Sequence, residues 1–307
     1  MPRILTVRRE GPASCADRLG GAEEREHRVG RQRRADAEAL HVVGRRSDGY
    51  HLPQTVFRFV GHGDVLRFSP RPDADIVRLD PLPGVPADAD LTVRAARLLQ
   101  AETGCRQGVS IRLDKRLPMG GGLGGGSSDA ATVLLALNHL WRLGLSRQRL
   151  REIGLRLGAD VPLFVFGENA FAEGVGERLA RLDLPPAWYL VLEPPVQITT
   201  ADIFRAPGLR RDSPILRCED WLAKADAERF GNDLEAVAVA LHPVIADHLA
   251  WLAQFGKARM SGSGACVFAE FPTRGAAEAA FARLPADWRG WVAAGLARHP
   301  LHHLVDA

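Results

Sequence analysis

Apolar residues follow strand or helix spacing only from Leu40 onward. Residues 1–39 are rich in Arg, Ala, Gly and Glu and show no apolar periodicity beyond a few aliphatic residues near the start. A segment without periodicity cannot bury one face against a core. We therefore expect residues 1–39 to form an atypical, Arg-rich and poorly ordered segment.

Beyond this segment the pattern predicts short strands and helices in mixed order. Apolar residues at helical spacing predict helices over 91–100, 129–143, a stretch from the N-cap Ser146 to near 158, 235–241, 244–255 and 276–284. Short apolar or alternating runs predict strands over 40–43, 55–59, 64–68, 109–113, 161–166, 189–192, 265–271 and 291–294. The run at 64–68 alternates as an exposed edge strand would. Because strands and helices do not alternate strictly, the pattern favours an α+β fold.

Composition and charge narrow the function classes. The net charge is +3, and residues 1–39 contribute nine Arg against seven acidic residues, so the rest of the chain is nearly neutral. This argues against a general nucleic-acid-binding face. The four cysteines form no Cys-x-x-Cys pair, and no apolar run is long enough to span a bilayer. We therefore expect a cytoplasmic protein with no membrane partner.

A glycine-rich segment carries the strongest candidate chemistry. Six glycines in seven positions let the backbone approach a ligand closely. A helix follows at once, so unpaired N–H groups and the positive end of the helix dipole face the loop. The segment predicts an anion site, with a triphosphate as its ligand. Its candidate ATP-binding residues are Pro118, Met119, Gly120, Gly121, Gly122, Leu123, Gly124, Gly125, Gly126, Ser127 and Ser128.

Three other interpretations of this loop fit less well. A flexible linker does not normally join a strand directly to an amphipathic helix. The spacing of Gly120, Gly122 and Gly125 formally matches a dinucleotide-binding loop, but no acidic residue ends a strand about 20 positions later. A Walker A loop needs Gly-Lys-Ser/Thr, whereas Gly126 is followed directly by Ser127.

Five motifs in order resemble the GHMP kinases. Pro-x-x-x-Gly-Leu-Gly-Gly-Gly-Ser-Ser at 118–128 resembles the ATP-binding signature of that superfamily. The stretches at 44–51, 158–162, 232–234 and 260–268 resemble one branch, the diphosphocytidyl-methylerythritol kinases of the non-mevalonate isoprenoid pathway. The resemblance runs from about Leu40 to Leu304. Five ordered motifs are more specific than a single glycine loop.

This resemblance implies a two-domain α+β GHMP kinase fold. A ribosomal protein S5 domain 2-like N-terminal domain is expected over 40–185 and an α/β-sandwich C-terminal domain over 186–307. The implied reaction is phosphorylation of the 2-hydroxyl of a methylerythritol that carries a cytidine diphosphate group, with ATP and Mg²⁺. The enzyme is expected to be a monomer or homodimer, and the superfamily also includes kinases of homoserine and mevalonate.

The resemblance also implies roles for individual residues. Asp160 is the implied general base, and Ser128 is a candidate Mg²⁺ ligand. From sequence alone, an aspartate at position 160 more often caps a turn, whereas Tyr50 and His51 could equally pack on a core. The implied substrate-binding residues are Tyr50 and His51, Phe204 on the other ring face of the base, and the loop Ser261, Gly262, Ser263 and Gly264. The histidines at 299, 302 and 303 are interpreted as structural or solvent-facing.

The chain departs from the family before Leu40. The resemblance implies a lysine beside the catalytic aspartate and an asparagine near the substrate, but those positions hold Ala35 and Ala37. None of the three lysines can replace it by sequence position. Our hypothesis is that residues 1–39 result from a shifted reading frame, which resequencing the start of the coding region tests. If the chain is authentic, we expect it to have lost a core strand and to have weak activity. The alternative is a remnant that binds the nucleotide but does not catalyse phosphoryl transfer.

Overall fold

The structure is a computed structural model that describes residues 27–31, 34–174, 176–222 and 231–305, with side chains from Ala39 onward except at 221 and 222. The predicted disorder of residues 1–26 therefore lies outside the described residues. The strands are β1 His27–Arg31, β2 Arg34–Arg45, β3 His51–Val60, β4 Val65–Arg71, β5 Ile76–Arg78, β6 Gly108–Asp114, β7 Ala170–Glu173, β8 Arg178–Arg181, β9 Trp188–Leu192, β10 Ala258–Met260, β11 Val267–Phe271 and β12 Gly290–Leu296. The helices are α1 Leu91–Thr103, α2 Gly125–Leu140, α3 Arg147–Leu155, α4 Val161–Phe166, α5 Thr200–Arg205, α6 Cys218–Leu222, α7 Glu235–Leu241, α8 Val244–Leu252 and α9 Arg274–Phe281, with short 3₁₀ turns at Ala87–Ala89 and His302–Leu304.

The strands form two sheets. The smaller has the order β1-β4-β6-β5, and the larger has the order β10-β11-β9-β12-β3-β7-β8 with β2 paired to β3. One edge of β3 pairs with β2. At its other edge, Thr55–Phe57 pair with β7, and Phe59 and Val60 pair with Leu296 and Gly295 of β12. The larger sheet therefore joins β12 to the strands formed by residues 34–60.

Helices cover these sheets and enclose two main cores. In one, α1, α2 and α4 pack against aromatic and aliphatic residues of β3, β4 and β6, including the fully buried Phe59 and Phe68. In the other, α7, α8 and α9 pack on β9 and β11. Mixed sheets with helices on their faces confirm the α+β prediction. Within the described ranges, no helix has the length and apolar character that crossing a bilayer requires.

Most predicted elements occur within a few residues of their expected bounds, but three expectations were wrong. The run at 161–166 is the helix α4 and not a strand. The strand β4 is interior, because β1 pairs along its free edge. The strand expected from Leu40 begins at Arg34, so residues 34–39 belong to β2 and the core strand is not lost. Backbone pairing with β3 forms this strand despite its atypical sequence.

Candidate active site

The glycine-rich loop adopts a backbone that its sequence requires. Gly120, Gly122 and Gly124 have φ values of 70°, 70° and 62°, in the left-handed region that residues with a Cβ avoid. Gly124 is the N-cap of α2, so the loop runs directly into the helix and its unpaired N–H groups. The loop therefore has the form of an anion-binding turn at a helix start.

The second glycine loop, Ser261–Gly264, lies directly against the first. A Cβ placed on Gly122 would lie 2.3 Å from Ser261 O and 2.6 Å from Gly264 N. Ser261 Oγ donates to Gly122 O across 3.2 Å, and Cys266 N donates to Gly121 O across 3.2 Å. Each loop thus fixes the backbone of the other, which brings two of the predicted site segments together.

Other motif residues hold the second loop in place. Asn232 Nδ2 donates to Met260 O at 2.9 Å and to Gly262 O at 2.7 Å. The carboxylate of the adjacent Asp233 accepts from Val42 N of β2 at 2.6 Å. The hydroxyls of Ser263 and Thr200 lie 2.9 Å apart in a further hydrogen bond. The Asn-Asp motif therefore joins the loop to β2, and Ser263 joins it to α5.

The predicted ATP-binding residues differ in their accessibility. Leu123 is buried in a core cluster with Tyr189 and Phe268, so only its backbone can face a ligand. Met119 is 37% exposed. Ser128 is buried in α2, whereas Ser127 is half-buried. The burial of Ser128 favours Ser127 as the accessible hydroxyl of this pair.

Asp160 stands immediately before α4, next to the glycine loop. Phe164 of α4 packs against Gly124, where an added Cβ would lie 2.8 Å from Phe164 Cζ. In the turn before Asp160, a Cβ on Gly158 would lie 3.9 Å from Ser127 Oγ. Pro162 is the second residue of α4, in the first turn, where its missing N–H costs no hydrogen bond.

The carboxyl group of Asp160 is available for chemistry. It caps no helix N–H and makes no hydrogen bond or ion pair with any residue in the described ranges. Solvent reaches the residue, yet the mass of protein around it removes part of its hydration. This burial raises the pKa of the Asp160 carboxyl above its usual value.

A buried ionic network, which sequence analysis missed, also lies close to the glycine loop. Lys115 Nζ donates to Asp64 Oδ2 at 2.6 Å and to Asp129 Oδ2 at 2.9 Å. The network adjoins the start of α2, because a Cβ on Gly125 would lie 3.3 Å from Lys115 Nζ. The only sequence signal was a lysine shortly before the glycines, and its partners are distant in the chain.

The charges of this network depend on one another. Burial lowers the pKa of Lys115, but the attraction of Asp129 and Asp64 outweighs it and the net shift is upward. Burial raises the pKa of Asp129, and the nearby Asp64 raises it further against the opposing effect of Lys115. Lys115 is therefore held charged between two carboxyl groups and is not free to replace the missing lysine.

Positions 35 and 37 lie on the described backbone of β2. Ala35 is opposite Phe59 and Ala37 is opposite Phe57 in the antiparallel pairing with β3. The strand on which the family resemblance implies a lysine and an asparagine is thus present. The chain differs there in having alanine at both positions, 35 and 37.

The predicted base-binding residues lie at the other end of β3. The rings of His51 and Phe204 are 4.8 Å apart at an interplanar angle of 30°. Tyr50 is 66% exposed, so one aromatic face is open to a ligand. Arg211, which sequence analysis did not single out, donates from Nε to His51 Nε2 across 3.1 Å. The structure brings Phe204 to His51 and leaves Tyr50 accessible.

The donor set for a metal is sparse. Within the described ranges, no group of three or more His, Cys, Asp or Glu side chains is arranged to hold a metal ion. Mg²⁺ at a nucleotide site needs only one or two protein oxygens besides phosphate and water. The hydroxyl of Ser127 and the carboxylate of Asp160 are oxygens of that kind.

Two family patterns match the chain. The GHMP kinases N terminal domain matches residues 90–168, and the GHMP kinases C terminal domain matches residues 207–290. They contain the first glycine loop with Asp160 and the second glycine loop, respectively.

Similar proteins cover most of the chain. A 4-diphosphocytidyl-2-C-methyl-D-erythritol kinase of Dechloromonas aromatica (strain RCB) is 60% identical over 85% of this chain and 94% of its own length. A protein of that name from Thiobacillus denitrificans (strain ATCC 25259 / T1) is 59% identical over 87% of this chain and 94% of its own length. A solved 4-(cytidine 5'-diphospho)-2C-methyl-D-erythritol kinase has a TM-score of 0.74 and 33% identity, covering 88% of this chain and 98% of that chain. A homoserine kinase from Cytophaga hutchinsonii ATCC 33406 shares the fold, with a TM-score of 0.63 at 16% identity over 92% of this chain and 98% of that chain.

Proposed function

Because the chain belongs to the GHMP kinase family, we propose that it transfers the γ-phosphate of ATP to the 2-hydroxyl of 4-diphosphocytidyl-2-C-methyl-D-erythritol. The observation that carries this proposal is Asp160, which is accessible and whose carboxyl makes no hydrogen bond with the described residues. Its neighbours Gly158 and Phe164 lie against the glycine loop. Relatives with 52–60% identity bear the name of a kinase for this substrate.

In this mechanism the glycine loop and the start of α2 bind the triphosphate. Their N–H groups stabilise negative charge on the transferring phosphoryl group. The second loop fixes the shape of the first through Gly122 and Ser261. Because phosphoryl transfer needs little covalent chemistry from the protein, such positioning supplies much of the acceleration.

Asp160 acts as the general base. Its carboxylate accepts the proton of the substrate hydroxyl while that oxygen forms a bond to the γ-phosphorus and the bond to the ADP oxygen breaks. The raised pKa of the Asp160 carboxyl favours this role, because a general base is most effective when its pKa lies near the pH of the reaction. A general base contributes about 10²–10⁴-fold to the rate.

Mg²⁺ supplies charge neutralisation on the phosphates when it is bound. The hydroxyl of Ser127 is an accessible protein oxygen that would hold it, together with the oxygens of the triphosphate. Ser128, the ligand predicted from sequence, is less suited because it is buried in α2.

Tyr50, His51 and Phe204 bind the cytidine end of the substrate. Stacking of a base on an aromatic side chain contributes roughly 1–3 kcal/mol per contact. The exposed ring of Tyr50 and the paired rings of His51 and Phe204 provide such surfaces. These few aromatic surfaces and the near-neutral net charge of the chain after residue 39 favour a small-molecule substrate over nucleic acid. We expect a cytoplasmic enzyme that acts as a monomer or homodimer.

A second candidate is a protein that binds the nucleotide but turns it over poorly. Ala35 in β2 favours it, because the resemblance implies a lysine at that position to polarise the hydroxyl. The contacts described above between the two glycine loops involve residues 121, 122, 261, 264 and 266, so they support nucleotide binding in this candidate too.

An ATP-dependent kinase assay separates these candidates. The full chain is incubated with 4-diphosphocytidyl-2-C-methyl-D-erythritol, homoserine or mevalonate in parallel, and ATP binding is measured by calorimetry. Phosphorylation of the cytidine substrate alone supports the proposal. ATP binding without turnover supports the second candidate, and turnover of homoserine or mevalonate alone overturns the proposed substrate.

A further inference from the structure

Arg211 lies in the segment that follows α5, and its guanidinium is fixed by four hydrogen bonds. Nη1 donates to Leu209 O at 2.9 Å, and Nη2 donates to Phe204 O at 3.1 Å and to Ala206 O at 2.9 Å. Nε donates to His51 Nε2 at 3.1 Å. The three carbonyl groups orient the guanidinium so that its Nε–H points at the imidazole ring.

This contact determines which nitrogen of His51 carries the proton. A guanidinium only donates hydrogen bonds, so His51 Nε2 accepts and the proton of the neutral ring resides on Nδ1. Burial lowers the pKa of His51, and the positive charges of Arg211 and Arg45 lower it further. These two arginines are the charged groups that act on the ring, and both favour the neutral imidazole.

The ring is also fixed in position. The imidazole ring packs against the ring of Phe204, with centroids 4.8 Å apart. Arg211 donates hydrogen bonds both to the backbone of Phe204 and to the imidazole of His51. His51 Nδ1 has no hydrogen-bond partner within the described part of the chain. The site therefore presents one oriented N–H donor next to the exposed Tyr50.

We propose that Arg211 is a positioning residue that makes His51 a fixed hydrogen-bond donor, so that the site prefers cytosine over uracil. Cytosine presents acceptors at both N3 and O2, whereas uracil presents an N–H donor at position 3. An N–H donor fixed on His51 Nδ1 can hydrogen-bond to N3 of cytosine. It would face another donor, the N3–H group, in uracil. This role rests on the proposed function, in which the neighbourhood of Tyr50 and His51 binds the base of the substrate.

Nucleotide binding tests the preference without requiring turnover. Cytidine 5'-diphosphate and uridine 5'-diphosphate are titrated into the full chain by calorimetry. We expect the wild-type chain to prefer the cytidine nucleotide, and Arg211→Met to bind it about 10-fold more weakly with less loss for uridine. Arg210→Met is the matched control, because Arg210 is exposed and pairs only loosely with Asp212 at 3.5 Å; it should keep the preference.

The tautomer is measured directly by long-range ¹⁵N–¹H correlation of the histidine rings. His51→Asn assigns the signal. We expect the proton on Nδ1 in the wild type and in Arg210→Met, and a mixture of tautomers in Arg211→Met. A purely structural role of Arg211 would not change the tautomer, so an unchanged His51 signal in a folded Arg211→Met variant overturns the proposal.

Two variants of His51 keep the test decisive if Arg211→Met does not fold. An Asn amide can place its N–H near the position of Nδ1, whereas a Gln amide reaches the position of Nε2. We expect His51→Asn to retain a preference for cytidine and His51→Gln to lose it, and the reverse order overturns the proposal.

A wild-type chain that binds neither nucleotide defeats the proposed cytidine substrate as well. A wild-type preference that survives in Arg211→Met overturns the role of Arg211 alone.

Discussion

Lys115 donates to the fully buried carboxylate of Asp64 across 2.6 Å, beside the loop that we propose binds ATP. The same carboxylate accepts from the backbone N–H groups of Arg116 and Leu117 at 2.7 and 2.9 Å. The strand end that leads into the glycine loop is therefore fixed by one buried charge. The position of the glycine loop therefore depends on Lys115, which neutralises the charge of Asp64.

Replacing this lysine should destabilise the protein. Lys115→Met leaves two buried carboxyl groups without a counter-charge, which costs about 3–5 kcal/mol for a broken buried pair. Urea denaturation at pH 7 measures the loss. Arg205→Met is the control with a change below about 0.5 kcal/mol, because Arg205 is exposed and lies 3.9 Å from Asp202. A loss below about 1 kcal/mol for Lys115→Met would show that the network behaves like a surface pair.

Gly122→Ala should disrupt both glycine loops. The new Cβ would meet Ser261 O at 2.3 Å, and φ is 70°. The left-handed backbone alone costs about 1–2 kcal/mol for a residue with a Cβ, and the clash adds to it. We expect lower stability in urea and loss of ATP binding in calorimetry. Gly275→Ala in α9 meets nothing within 4 Å and should stabilise by about 0.5–1 kcal/mol; equal behaviour of the two variants contradicts the interlocked geometry.

Asp160→Asn should lower kcat while preserving ATP binding. The amide cannot accept the proton of the substrate hydroxyl, so a loss of about 10²–10⁴-fold is expected. Since the Asp160 carboxyl makes no hydrogen bond with described residues, the fold should not suffer. Steady-state kinetics and thermal melting together check this. Retention of full activity by a folded variant would remove Asp160 from the role of base.

The pH dependence should report the raised pKa of Asp160. The base must be ionised, so kcat/KM falls as pH falls through a pKa above the ordinary aspartate value. Stability changes in the opposite sense: burial favours the protonated form, whose contribution is complete below the unfolded-state pKa and is lost as pH rises through the folded-state pKa. Profiles of kcat/KM and of melting temperature test both signs. An acid limb at the position of an unshifted aspartate would argue against the desolvation of this group.

Ala35→Lys should increase activity. Residue 35 lies on the described strand β2, opposite Phe59, and the resemblance implies that a lysine there polarises the substrate hydroxyl. A single well-placed electrostatic group is worth on the order of 10²-fold in kcat. The gain should disappear in the double variant with Asp160→Asn. A gain that persists there, or no gain in the single variant, would show that residue 35 does not act with Asp160.

The elements with clear periodicity were predictable from sequence, whereas α4 was not. Its residues, 161–166, form a short apolar run without a period, and such a run cannot be distinguished from a buried strand by pattern alone. The proline next to the helix start was the signal that favoured a helix. The glycine loop was predictable because its composition and the following helix are local features.

Contacts between distant segments were not predictable. Lys115 meets Asp64 and Asp129 only because β6, the turn before β4 and α2 converge. Arg211 reaches His51 across 160 positions of sequence. The extension of β2 over residues 34–39 is likewise a tertiary effect, since pairing with β3 overrides a sequence with weak strand preference.

The pairing of Gly295 with Val60 affects how the chain reaches its native state. During synthesis β3 emerges long before its partner β12, which lies far later in the sequence. Until then the edge of β3 at residues 59–60 lacks this partner, and such open edges promote aggregation. Contacts between distant parts of a chain also slow folding. The larger sheet can therefore close at this edge only after β12 has been synthesised, and not when the first half of the described strands is complete.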